Sequence, residues 1–257
     1  MAALPDNPSD PVFIRVRDLH KQIGQQQILK GMTLDIPRGS GVAIIGGSGT
    51  GKSVFLKLVM GLIRASSGSI MVDGVEITGL NERQLGPHRR KIGLLFQDGA
   101  LFDSLTVEEN VAFPLVEAGW KDRQKIKAAV LETLASVDLE EHLHKLPSDL
   151  SGGMRKRAAL ARAIITDPQA VFYDEPTSGL DPVVADSIDH LIRRTQRRRG
   201  ITSVVVTHDM KCLRVVADQV FYLREGVVYF SGTPAALLES ADPVIRQFVE
   251  GRSGESS

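Results

Sequence analysis

Cysteine is nearly missing from this sequence. Cys212 stands alone, so no internal disulfide can staple the chain, and a reducing compartment suits it. With nothing to pair with, it reads as a small buried apolar residue. An excess of charge is missing too, since 31 Lys and Arg face 31 Asp and Glu. No global field therefore draws the chain to nucleic acid or anionic lipid, and no nucleic-acid partner is expected. Long greasy runs are also absent. Nothing approaches the roughly 20 apolar residues of a membrane-spanning helix, and KLVMGLI is of core-helix length. The opening MAALPDNPSD has no basic residue and no apolar stretch, so it is not a secretory signal. Residues 1–11 read as a disordered lead and 251–257 as a polar tail. These absences describe a soluble, cytoplasmic chain with length enough for a sizeable core.

What is present alternates between strand and helix, which predicts an α/β fold with much parallel sheet. VFIRVRDL, QILKGMTLDI, GVAII, IGLLF, AVFYD, TSVVV and QVFYL read as strands, and REGVVYF as the return arm of a hairpin. Strand signals vanish between about Asp98 and Thr166. There Ile126, Val130, Leu134 and Val137 recur at helical spacing, and MRKRAALARAII is a second helix. An all-helical insert of roughly 65 residues therefore interrupts the α/β core. The helix 183–199 ends in QRRRG, but Ile188, Leu191, Ile192 and Thr195 mark a buried stripe. Its arginines complement the helix dipole on a solvated face.

GGSGTGKS, residues 46–53, follows strand GVAII and precedes helix KSVFLKLVM, the context in which G-x-x-x-x-G-K-[ST] binds phosphate. Gly46, Gly47, Ser48, Gly49, Thr50 and Gly51 let backbone N–H groups converge on phosphate oxygens. Lys52 can reach the β- and γ-phosphates and Ser53 can ligate Mg²⁺. The chain should bind a nucleoside triphosphate. AVFYDE ends in two carboxylates, and neighbours along a strand point to opposite faces. Asp174 then suits Mg²⁺ and Glu175 an attacking water. LSGGM, 150–154, sets Ser151, Gly152 and Gly153 before a helix, either as a second anion-binding N-terminus or as a plain serine cap. His208 closes strand TSVVV at the end where open α/β sheets bind ligands.

Together these pieces resemble the ATP-binding subunit of an ABC transporter over roughly residues 12–250. GGSGTGKS looks like the Walker A motif, AVFYDE like Walker B and LSGGM like the family signature. Gln97 looks like the Q-loop glutamine, SGLD (178–181) like the D-loop and His208 like the switch histidine. The resemblance implies an ABC-type nucleotide-binding domain: a RecA-like P-loop core, an antiparallel β subdomain and an inserted α-helical subdomain. Residues 12–97 would carry the core and β subdomain, 98–166 the helical subdomain, and 167–250 the rest of the core. It further implies a homodimer holding two ATP. Walker A of one subunit would face Ser151, Gly152 and Gly153 of the other, with Asp181 linking the sites. Glu175 would be the general base, His208 would meet the γ-phosphate, and Ser53, Gln97 and Asp174 would serve Mg²⁺. Ile23 stands where the family commonly stacks an aromatic on adenine, and Met154 replaces the commoner glutamine.

LLFQDGALFDSLTVEENVAFPL, LSGGMRKRAALARAI and DPVIRQFVEG are similar to the ATPases of MCE-type, Mla-like systems. Those maintain outer-membrane lipid asymmetry in Gram-negative bacteria. The partners implied are integral permease subunits, an MCE-domain substrate-binding protein and a STAS-domain subunit, with the chain peripheral on the cytoplasmic face of the inner membrane. A motor for amino-acid or ion transport would carry the same motifs, and a soluble ABC ATPase without a permease is the other alternative. Within FQDGALFDSL, Ala100, Leu101 and Phe102 are expected to begin the helical insert. They read either as loop-anchoring core or as a docking surface for a permease coupling helix.

Overall fold

The computed structural model describes residues 11–251; the expected lead (apart from Pro11) and the tail beyond Gly251 lie outside the described residues. β1 (Val12–Ile23) and β2 (Gln26–Pro37) pair as an antiparallel hairpin. β3 (Gly41–Ile45) follows, buried at every position, as a strand covered on both faces must be. After α1 (Lys52–Val59), β4 (Ser67–Val72) and β5 (Val75–Glu76) complete a four-stranded sheet in the order β2-β1-β4-β5. The reading of the sequence passed over β4 and β5, because SGSIMV opens on three small residues and shows little alternation. A local signal existed in Asp73-Gly74, a dipeptide suited to two-residue hairpins, and both residues adopt positive φ (51° and 77°).

α2 (Glu82–Arg89) and β6 (Ile92–Leu95) lead into a segment that has no strand, as expected. It holds α3 (Val107–Glu117), α4 (Arg123–Ser136) and α5 (Gly152–Ile164). The first of these starts at Val107, so Ala100, Leu101 and Phe102 open the segment as loop. Thr106 and Glu109 form a reciprocal capping box there. The buried Asn110 side chain pins the preceding loop, accepting from Phe102 N–H at 2.8 Å and donating to the Phe102 and Leu105 carbonyls. Those loop groups are satisfied without a helix.

β7 (Ala170–Asp174), α6 (Pro182–Arg199), β8 (Thr202–Thr207), α7 (Met210–Val216), β9 (Gln219–Arg224) and β10 (Val227–Gly232) follow, then α8 (Pro234–Leu238) and α9 (Pro243–Val249). The second sheet runs β10-β9-β3-β8-β7-β6, parallel except for the expected β9–β10 hairpin. It separates two cores by simple alternation. Val42, Ile44, Phe172, Val204 and Val206 face the cluster shared with β1, β2 and α1. Ala43, Ile45, Val171, Tyr173 and Val205 face the cluster of α3–α7. The parallel strands therefore end together, and each carboxyl end runs into a loop bearing polar side chains.

One buried group in the second cluster is out of keeping with it. Asp189 on α6 is 2% exposed, and its Oδ1 has no hydrogen-bond partner. Burial pushes its carboxyl up to about 6, against a smaller opposing effect of the Cys212 thiol. An acid whose folded value is raised favours the folded state only while protonated. Stability is therefore full at low pH, falls as pH rises from about 4 to about 6, and stays reduced above. A shift of that size corresponds to about 3 kcal/mol, and an asparagine amide left unpaired would return about 1 kcal/mol or more of it. Asp189→Asn should therefore raise the melting temperature at pH 8, by about 1–2 kcal/mol of stability, and not at pH 4. A gain of equal size at both pH values would show that charge is not the cause. Cys212 is fully buried, as expected, but with the Asp189 carboxyl beside its thiol.

Candidate functional site

The carboxyl ends of β3, β6, β7 and β8 bring the chemistry-bearing residues to one edge of the sheet. After β3 the chain enters Gly46–Gly51 and turns into α1. Gly51 is the cap of that helix with φ 101°, and no side chain caps its N–H groups. A Cβ there would sit 2.6 Å from Leu29 Cδ2, so backbone and space both require glycine. The free N–H groups and the helix dipole together favour an anion. Lys52 curls back over the loop, donating to the Gly46 carbonyl at 2.8 Å and the Gly47 carbonyl at 2.9 Å. Burial lowers its ammonium below the usual lysine range, against the opposing pull of Glu175 and Asp174.

Asp174 and Glu175 do take different partners, as alternation predicts, but by a sharper device than strand pleating. β7 stops at Asp174, and Glu175 adopts φ 49°, a left-handed backbone that is uncommon outside glycine. Its N–H still bonds the Val206 carbonyl at 2.9 Å. Asp174 accepts from the Ser53 hydroxyl at 3.1 Å. Burial pushes its carboxyl above the usual range; the Ser53 bond opposes this and the Glu175 charge adds to it. Glu175 turns the other way, to His208 Nδ1 at 3.0 Å. Glu175 is largely buried while His208 is 67% exposed, so the imidazole can swing out and the carboxylate cannot.

The oxygen donors Ser53 and Asp174, 3.1 Å apart, fit a hard cation. Among the described residues no group of three or more His, Cys, Asp and Glu could hold a metal. A cation here would complete its shell from phosphates and water, the habit of Mg²⁺. A carboxyl strained by burial is the group such a charge would relieve.

Gln97 lies two residues beyond β6, and its amide donates to Ser178 Oγ at 3.3 Å rather than reaching Ser53. Ser151 caps α5, accepting from Met154 N–H at 3.3 Å, and no described hydrogen bond joins Ser151, Gly152 or Gly153 to the 46–53 loop of the same chain. Gly152 and Gly153 instead lie under α6 and the turn before it. Cβ atoms on them would sit 2.9 Å from Leu180 Cδ2 and 2.5 Å from Val184 Cγ1. Close packing is thus a reason for both glycines that phosphate binding alone did not suggest. Asp181 caps α6 through the N–H groups of Val183 and Val184 at 3.0 and 3.1 Å. Ile23 ends β1 half exposed at the hairpin tip.

Reading the sequence missed one cation. Lys156 is buried and donates to the Gln97 carbonyl. Its neighbours in the RKR run go elsewhere: Arg155 to the Leu150 carbonyl, Arg157 to Val137, Asp138 and Ser187. Helical phase held the signal, since Lys156 shares a stripe with Leu160 and Ile164.

Comparison with known proteins agrees with this geometry. The family model described as ABC transporter matches residues 29–178. The chain is 44% identical to the probable ribonucleotide transport ATP-binding protein mkl of Mycobacterium leprae, over 98% of this chain and 73% of that protein. It is 39% identical to the intermembrane phospholipid transport system ATP-binding protein MlaF of Haemophilus influenzae, over 94% of this chain and 91% of that protein. Among solved structures it is similar to the ATP-binding cassette MJ0796 in a dimeric post-hydrolysis state bound to ADP and Pi. The TM-score is 0.79 with 32% identity, over 86% of this chain and 98% of that one.

Proposed function

Because the chain belongs to the ABC transporter family, whose ATPases bind ATP with Mg²⁺ and couple its hydrolysis to transport, we propose that it drives phospholipid movement between inner and outer membrane in an MCE-type, Mla-like system. The observation that carries this reading is the match to MlaF, which extends over nearly all of both chains. No helix of the described residues is long and apolar enough to cross a membrane. In this reading the chain acts on integral permease subunits from the cytoplasmic face, with an MCE-domain protein and a STAS-domain subunit as further partners.

Hydrolysis divides among the residues at the sheet edge. Two copies sandwich two ATP, the 46–53 loop of one facing Ser151, Gly152 and Gly153 of the other, and Asp181 joins the two sites. Lys52 exchanges the Gly46 and Gly47 carbonyls for β- and γ-phosphate oxygens, and Ile23 covers the base by apolar contact. Glu175 takes a proton from water as its oxygen attacks the γ-phosphorus and ADP leaves. His208 leaves Glu175 to hold the γ-phosphate, and Gln97 leaves Ser178 to orient the water. Ser53, Asp174 and Gln97 would hold a bound Mg²⁺, which would supply neutralising charge to the phosphates.

The permease is expected to dock at a groove of 850 Å³ between the Gln97 loop and α3. Phe102 is 44% exposed there, tilted against Phe113 at 4.8 Å, with Trp120 beside them. Leu101 packs against the core beneath, so the apolar patch divides into an anchor and a docking face. Affinity purification from detergent-solubilised membranes should recover a permease and an MCE protein with the wild-type chain, and neither with Phe102→Ser/Trp120→Ser that still binds ATP. Recovery of an amino-acid or ion permease, or of no membrane protein, would overturn the lipid reading.

A further inference from the structure

α5 and the Gln97 loop are fastened together by the backbone of one and two cations of the other. Gly99 and Ala100 both adopt left-handed conformations (φ 76° and 48°), and these turn their carbonyls toward the helix. Arg162 donates to Gly99 O at 2.8 Å and to Ala100 O at 2.7 Å. Ala159 lies under the loop, its Cβ 3.5 Å from where a Cβ on Gly99 would sit. At the other end Lys156 donates to the carbonyl of Gln97 itself.

Packing alone does not call for a lysine at 156. The side chain is 6% exposed, and burying an ammonium is costly where an apolar side chain of similar volume would fill the space. What the ammonium adds is a charged donor to Gln97, in the field of Asp98, Asp174 and Glu175, which offsets part of the effect of its burial. Gln97 is thus held by its backbone while its side chain stays free to choose between Ser178 and the reacting centre.

We infer that Lys156 is a positioning residue for ATP hydrolysis: by holding the Gln97 carbonyl, with Arg162 holding the next carbonyls along the loop, it sets where the Gln97 side chain acts. Lys156 works through Gln97 and does not touch the nucleotide. The inference rests on the reading of Gln97 as the group that orients the water, and the experiment separates the two.

The full-length chain is assayed for ATP hydrolysis as wild type, Gln97→Ala, Lys156→Met and the double variant. Each single variant should lower kcat by roughly tenfold with KM for ATP within about twofold, the pattern of an interaction used only in the transition state. The double variant should be no slower than Gln97→Ala, because the second change removes a support whose load is already gone. Lys156→Arg, which keeps a charged donor, should recover most of the loss. Multiplied losses in the double variant, a raised KM, an equal loss in Lys156→Arg or a wild-type kcat in Lys156→Met would each overturn the inference. A wild-type kcat in Gln97→Ala would instead overturn the reading of Gln97. Should Lys156→Met fail to fold, Lys156→Gln, a neutral donor of shorter reach, enters the same cycle and is expected to give the same non-additive loss.

Discussion

Glu175→Gln should bind ATP as the wild type does and hydrolyse it about 10²- to 10⁴-fold more slowly, the range expected when a general base is lost. The substitution keeps the shape of the side chain and an oxygen to face His208, which now lies 3.0 Å from the carboxylate. The backbone turn at φ 49° is unchanged by it. The capacity to accept a proton is removed, and with it the negative charge that acts on Lys52 and Asp174. The proposed role of base goes to Glu175 because its carboxylate meets His208 while Asp174 stays on Ser53. Phosphate release measured beside calorimetric ATP binding decides the matter, and gel filtration with ATP should show a trapped dimer. Undiminished phosphate release would falsify the assignment.

The second large effect falls on binding. Lys52→Ala should weaken ATP affinity by about 2–3 kcal/mol, a factor of roughly 30 to 150 in Kd. In the wild type the ammonium gives up two uncharged acceptors, the Gly46 and Gly47 carbonyls, for anionic phosphate oxygens, and the attraction between opposite charges is what the substitution removes. The exchange is favourable because phosphate oxygens are anionic and the lysine is already partly desolvated. Titration calorimetry reads it directly. An unchanged Kd would mean that the loop N–H groups alone hold the phosphates.

Legibility followed the range of the interactions. Residues 46–53 could be read as a phosphate loop because eight neighbours carry the whole device. β3, β7 and β8 could be read because burial on both faces writes itself as an apolar run. β4 and β5 escaped, because β4 is held by pairing with β1 and β5 by pairing with β4, and their own residues say little. The conformation of the loop that opens the insert was not legible either: Leu101 and Phe102 are apolar, and it is Asn110, eight residues beyond Phe102, that satisfies the loop's backbone.

The sequence by itself determined that this chain binds a nucleoside triphosphate, which carboxylates stand ready at the strand end, and which family the ordered motifs resemble. Each of these rests on residues adjacent in the chain, where local geometry is enough. Only the tertiary structure decided that Glu175 faces His208, that Gly152 and Gly153 lie under Leu180 and Val184, and that Lys156 holds Gln97. Those partners are separated by tens of residues, and packing around two cores is what brings them within reach.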